Sequence, residues 1–109
     1  MKRLALLAVL ALLALAAPAR ANGDAFDVYL DGRPRPVGTL VICRGGGGST
    51  TATLLRRDGS SVCELATVRR DETTGAFRFE CRRFVFVFGC DRDGCRWRAH
   101  GRRGTLVPA

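Results

Sequence analysis

The sequence predicts an all-β protein, a small antiparallel barrel or sandwich of about six or seven short strands, stapled by disulfides. Three observations predict it. First, after Asn22 no apolar period of 3.6 residues appears; short alternating or continuous apolar runs recur instead, punctuated by Gly, Asp and Pro. Second, two turns placed independently put one consistent set of apolar side chains on a single face, and agreement between levels is strong evidence for a fold. Third, four of the five cysteines face one another in pairs across expected turns, one centred on Glu72 and one at Asp91–Gly94.

The chain opens with a segment expected to be removed. Lys2 and Arg3 are followed by an apolar run, Leu4 to Ala17, and then by Pro18-Ala19-Arg20-Ala21, with Ala at both positions of an A-x-A cleavage pattern. That order is a secretory signal peptide over residues 1–21. The run is shorter than the roughly 20 apolar residues of a membrane span, and no Cys stands at the cleavage point for lipid attachment. A single domain over 22–109 is expected to remain, exported to the periplasm or secreted. No later stretch is long and apolar enough to span a membrane as a helix.

The strands follow in order. Phe26–Leu30 comes first. It ends at Asp31-Gly32-Arg33-Pro34-Arg35-Pro36, where two prolines cannot donate to a ladder. Thr39–Arg44 is second, and Gly45–Gly48 is a flexible connection. Thr50–Arg56 and Ser61–Val68 flank Asp58-Gly59, a strong two-residue turn signal. That hairpin pairs Leu55 with Val62 and Leu54 with Cys63. A turn centred on Glu72 leads into Ala76–Phe88, pairing Val68 with Ala76, Thr67 with Phe77, Leu65 with Phe79 and Cys63 with Cys81. Side chains alternate with period two, so Ala52, Leu54, Cys63, Leu65, Thr67, Phe77, Phe79 and Cys81 share a face.

The apolar phase then changes. Phe77, Phe79 and Cys81 are odd, whereas Phe84, Phe86 and Phe88 are even. A β-bulge at Arg82-Arg83 would restore the face within one long strand. A third hairpin turns at Asp91-Arg92-Asp93-Gly94 and pairs Cys90 with Cys95, Phe88 with Trp97 and Phe86 with Ala99. Strands over Arg96–Arg102 and Thr105–Val107 complete the domain.

The cysteine pairs expected are Cys63 with Cys81 and Cys90 with Cys95. Facing residues of a hairpin lie within disulfide reach. Cys43 is left as a free thiol, expected to be buried on the apolar run Leu40-Val41-Ile42. An intermolecular disulfide is the next reading; a catalytic thiolate is disfavoured because His100 is the only histidine.

Setting aside Lys2, Arg3 and Arg20 leaves 15 of the 18 basic residues, all arginine, against 10 acidic ones, a formal charge of +5. Such a surface favours acidic partners: anionic polysaccharide, lipopolysaccharide or acidic protein. No specific nucleic acid is expected. An Arg-rich, Lys-free composition is also what a GC-rich genome would write on any solvated surface.

Other chemistry is thin. Gly45-Gly46-Gly47-Gly48-Ser49-Thr50 lacks the Lys of a phosphate loop and precedes no helix. Asp91-x-Asp93-Gly94 lacks the later ligands of a calcium loop, and Cys90-x4-Cys95 lacks a second ligand pair for zinc. No metal or cofactor is expected. No serine sits in a Gly-x-Ser-x-Gly context and no pair of carboxylates is placed for glycoside hydrolysis. The chain therefore reads as not an enzyme.

The arginine pairs carry the one testable geometry. In the expected register Arg56, Arg57, Arg82 and Arg83 crowd one edge of the sheet. Two converging guanidinium groups there could hold a carboxylate, sulfate or phosphate. Against this stands the use of charge to keep sheet edges from pairing with other chains. The leading expectation is a non-enzymatic binding module for an anionic partner. A small inhibitor of an exported enzyme, presenting the Cys90–Cys95 hairpin with Arg92 at its tip, is the second. An envelope structural or assembly protein is the third.

Overall fold

The computed structural model describes residues 23–45, 47–72 and 74–109. The signal segment expected over 1–21 lies outside the described residues. Among the described residues the domain has nine strands rather than the six or seven expected: β1 (Gly23–Leu30), β2 (Gly38–Arg44), β3 (Thr50–Arg56), β4 (Ser61–Thr67), β5 (Arg69–Arg70), β6 (Phe77–Cys81), β7 (Phe84–Asp91), β8 (Gly94–Ala99) and β9 (Arg102–Pro108). All pairings are antiparallel, in the order β4-β3-β2-β1-β9-β8-β7-β6-β5.

The sheet curls into a nearly closed barrel because one run of chain joins its two edges. β4 pairs with β3 as far as Thr51↔Thr67. Val68 then donates its N–H to the Thr50 carbonyl at 2.8 Å. The next two residues, β5, pair with β6 as Arg69↔Arg78 and Arg70↔Phe77. The Cys63–Cys81 disulfide, with Cα atoms 5.6 Å apart, ties β4 to β6 across the remaining seam. The second disulfide, Cys90–Cys95, closes the β7–β8 hairpin. Such bonds are consistent with an oxidising, exported environment.

Alternation supplies the core. Val28, Leu40, Ala52, Leu54, Cys63, Phe79, Phe86, Phe88, Trp97, Ala99 and Leu106 all point inward and are buried. Phe79 stacks on Phe86 at 5.0 Å and Phe86 on Trp97 at 5.3 Å, forming an aromatic ladder across three strands. No polar or charged side chain is buried among the described residues.

Four sequence expectations change. The strand expected over Ala76–Phe88 is a hairpin: β6 and β7 meet at a two-residue turn, Arg82-Arg83, with Cys81 opposite Phe84 and Phe79 opposite Phe86. A two-residue turn sets odd residues against even ones just as a bulge would, so phase alone did not distinguish them. The turn also lacks Gly or Asn; Arg82 itself takes φ 56°. Likewise the strand expected to reach Arg102 stops at Ala99, where His100 and Gly101 form a turn with φ 49° and 74°. Positive φ at both central residues is the type I′ geometry that matches the strand twist.

The third change lies in β4. Leu54 faces Cys63 as expected, but Leu55 faces Ser61 rather than Val62, and Ala52 faces Ala66. The bulged register flips the phase beyond Cys63. Leu65, at φ 47°, therefore points outward, 70 % exposed, and Ala66 takes the core position. The pairings expected of the Glu72 turn are replaced accordingly, with Asp71 N–H bonded to the Ala76 carbonyl at 2.7 Å. Phe77, expected on the core face, is 40 % exposed at the end of the stack, 5.6 Å from Phe88.

Fourth, Cys43 is free but exposed. Gly38, Leu40 and Ile42 face inward from β2, so the odd position of Cys43 turns its thiol to the outside.

Candidate functional site: the arginine-rich mouth of the barrel

Each hairpin reverses the chain, so strand direction decides which end of the barrel a turn occupies. The segments 31–37, 57–60, 82–83 and 100–101 share one end; 45–49, 71–76 and 92–93 share the other. The first end carries Arg33, Arg35, Arg56, Arg57, Arg82, Arg83, Arg102 and Arg103, against Asp31 and Asp58. The opposite end carries Arg44, Arg69, Arg70 and Arg92, against Asp24, Asp71, Glu72, Asp91 and Asp93. The barrel wall holds three residues of each sign. The positive excess of the domain therefore sits at one end.

The arginines there differ in what holds them. Arg57 donates from Nε and Nη2 to the Pro36 carbonyl at 3.1 and 2.9 Å, binding the β3–β4 turn to the β1–β2 loop. Arg56 donates from Nη1 to Ser60 Oγ at 3.2 Å and to the Ser61 carbonyl at 3.0 Å. Arg103 lies 3.6 Å from Asp31. Arg33, Arg35, Arg82, Arg83 and Arg102 make no side-chain hydrogen bond or ion pair among the described residues.

The two acids are spoken for. Asp58 accepts from Ser60 Oγ at 2.6 Å and Ser60 N–H at 2.9 Å. The Ser60 side-chain bond, then the backbone bond, hold its carboxyl below the ordinary aspartate value.

Of the four arginines singled out in the sequence, all lie at this end, but in two separate turns rather than along one sheet edge. Arg82 and Arg83 cap the β6–β7 hairpin, whereas Arg56 and Arg57 stand at the β3–β4 turn. Arg33, Arg35, Arg102 and Arg103 were not recognised as their companions. For Arg33 and Arg35 the signal was present, because the turns at 31–36 and 57–60 are separated by two strands and so share an end; for Arg102 and Arg103 the unannounced turns at Arg82-Arg83 and His100-Gly101 changed the end.

One further arginine pair borders this region. Arg98 and Arg103 stand opposite each other on the outer face, two positions from the His100-Gly101 turn. The second pair from a two-residue turn is a non-hydrogen-bonded one, whose side chains approach closely. Like charges so placed repel.

The end of the barrel is open. A cavity of about 480 Å³ enters the interior there. Its floor is Val28, Leu54, Phe86, Trp97 and Ala99; its rim includes Val37, Arg56, Phe84, His100 and Arg102. The His100 ring lies against Phe84, with centroids 5.1 Å apart. The cavity is thus apolar below and cationic above.

The Cys90–Cys95 hairpin projects from the other end. Its tip places Arg92 between Asp91 and Asp93, and the Asp93 N–H bonds Asp91 Oδ1 at 2.8 Å. Among the described residues no three His, Cys, Asp or Glu side chains gather around a point that could hold a metal ion.

No protein-family model, no curated protein and no solved structure matches the chain.

Proposed function

We propose that this domain is an exported, non-enzymatic binding module that holds an anionic partner at the arginine-rich mouth of its barrel. The partner classes are anionic polysaccharide, lipopolysaccharide and acidic protein. The observation that carries the reading is the segregation of charge: eight arginines and two aspartates at one end, with five of those arginines unpartnered among the described residues. Packing like charges together without counter-ions opposes folding; an anion bound across them removes that repulsion. Binding rather than catalysis suits the residue type. Guanidinium remains protonated at all accessible pH and presents paired donors that match carboxylate, sulfate and phosphate.

The test is retention on heparin and lipopolysaccharide resins across a salt gradient. One variant carries Gln at Arg33, Arg35, Arg82 and Arg83; a second carries Gln at Arg44, Arg69, Arg70 and Arg92. Both lose four charges. The first should elute at much lower salt than the second, because exposed charges act only within about a Debye length, roughly 8–10 Å. Equal losses would reduce the arginines to solvated surface and end the proposal.

A further inference from the structure

We propose that the mouth cavity is a binding site for a soluble, single-chain amphipathic carboxylate, with its tail in the barrel and its head on Arg56 and Arg102. The charge half of this inference rests on the function proposed above; the cavity half stands on its own geometry.

At about 480 Å³ the cavity lies within the roughly 300–1,000 Å³ of small-molecule sites, which recur in the mouths of β-barrels. It equals about sixteen water volumes at ~30 Å³ each, enough for one medium-length chain. Its floor of aliphatic and aromatic side chains offers bound water no side-chain partner, since no polar side chain is buried in this core. Burying methylene groups there is favourable at about 0.8 kcal/mol each.

The rim selects the head group. Arg102 has no side-chain partner among the described residues, and Arg56 uses only Nη1 on its own turn. Their remaining N–H groups can donate to a carboxylate while its outer side stays hydrated. His100, packed against Phe84, narrows the same opening. A neutral amphiphile would fill the floor and leave the rim unused.

Trp97 is the only tryptophan of the chain and forms part of the floor, so its fluorescence reads occupancy. The experiment titrates the oxidised protein, residues 22–109, with decanoate, with decanol and with phosphatidylglycerol vesicles. Decanoate should change Trp97 emission saturably, and decanol should bind about tenfold more weakly or worse, because charge-assisted hydrogen bonds are lost. Arg102→Gln should weaken decanoate by a similar factor. Val37→Glu, at an exposed rim position, should abolish binding without touching the core. Arg44→Gln and Arg92→Gln, at the opposite end of the barrel, should leave decanoate affinity unchanged.

A response to decanoate that does not saturate, or equal affinity for decanol, would overturn the inference. So would binding to vesicles without a response to decanoate, which would assign the mouth to a membrane surface. The two proposals fail separately. Arginine-dependent retention on heparin with no decanoate response removes the cavity ligand and leaves the polyanion partner. Decanoate binding with no such retention does the reverse.

Discussion

The indole Nε1 of Trp97 donates a hydrogen bond of 2.9 Å to the main-chain carbonyl of Tyr29, 68 residues earlier in the chain. The two belong to β8 and β1, and β9 lies between them. The bond can form because Gly104 occupies the crossing point. A Cβ there would stand 1.7 Å from the Tyr29 oxygen and 2.8 Å from Trp97 Nε1. Three strands are thereby drawn together at the floor of the mouth.

Gly104→Ala should therefore lower stability by about 3 kcal/mol, at the upper end of overpacking costs because the clash is with backbone. Trp97→Phe keeps an aromatic ring against Phe86 but leaves the Tyr29 carbonyl unpaired, at a cost of about 1–3 kcal/mol. Urea unfolding followed by circular dichroism measures both. A Gly104→Ala protein as stable as the parent would mean that β1, β9 and β8 do not approach as described.

The two disulfides should contribute unequally. By loop-closure entropy, Cys63–Cys81, 18 residues apart, is worth about 3 kcal/mol, and Cys90–Cys95, five apart, about 2 kcal/mol. The paired Cys→Ala variants should rank in that order in urea midpoint. The longer bridge also holds the seam between β4 and β6, so its loss should increase binding of a hydrophobic dye and loss of the shorter bridge should not.

Non-glycine residues at positive φ give a prediction of opposite sign. Left-handed backbone costs an L-residue roughly 1–2 kcal/mol, whereas glycine pays about 0.5–1 kcal/mol in unfolded-state entropy. Arg82→Gly and Leu65→Gly should each raise stability, by about 0.5 kcal/mol, since neither side chain is in the core. Arg82→Gly should at the same time elute earlier from heparin. Stability and retention moving in opposite directions would separate the turn from the charge.

Asp58 predicts an effect of pH. Its carboxyl is held below the ordinary value by Ser60. A lowered folded pKa contributes stability that is fully present above the unfolded value, about 3.9, and is lost as pH falls through the folded value. The stability gap between the parent and Asp58→Asn should thus be constant near neutrality and narrow below about pH 4. A gap that stays level down to pH 2 would dismiss the Ser60 interaction as its source.

Cys43 should react in the native, oxidised protein. It is exposed and unpaired, so a thiol reagent should modify one cysteine per chain without denaturant. Cys43→Ser should change stability by less than about 0.5 kcal/mol, as for other surface substitutions. A native protein that resists modification until unfolded would restore the buried placement expected from Leu40-Val41-Ile42.

Much of the fold was legible because local chemistry dictates it. Asp58-Gly59 declared a hairpin, and Leu54 faces Cys63 as counting outward gives, although a register shift at Leu55 intervenes. Cys90↔Cys95 and Phe88↔Trp97 followed from Asp91-Arg92-Asp93-Gly94 in the same way. Alternation identified nearly every core side chain of β3, β6, β7 and β8. Where the count went wrong, the backbone had adopted conformations that no local residue announces. Leu65 in the bulge and Arg82 in its turn sit at positive φ without being glycine.

The sequence by itself determined the strand class, the alternating core and the excess of arginine, because each depends on neighbours one or two residues apart. Tertiary structure alone decided where that charge resides. An undetected turn at Arg82-Arg83 reverses the direction of every strand after it. It moves Cys90–Cys95 to the far end and, with the His100-Gly101 turn, brings Arg102 to the rim that Arg56 also lines. The floor of the mouth is decided the same way. Val28 and Leu54 are far in the chain from each other and from the Phe86–Trp97 pair, and the four meet because the run from Ser61 to Arg70 pairs with both edges of the sheet and curls it into a barrel.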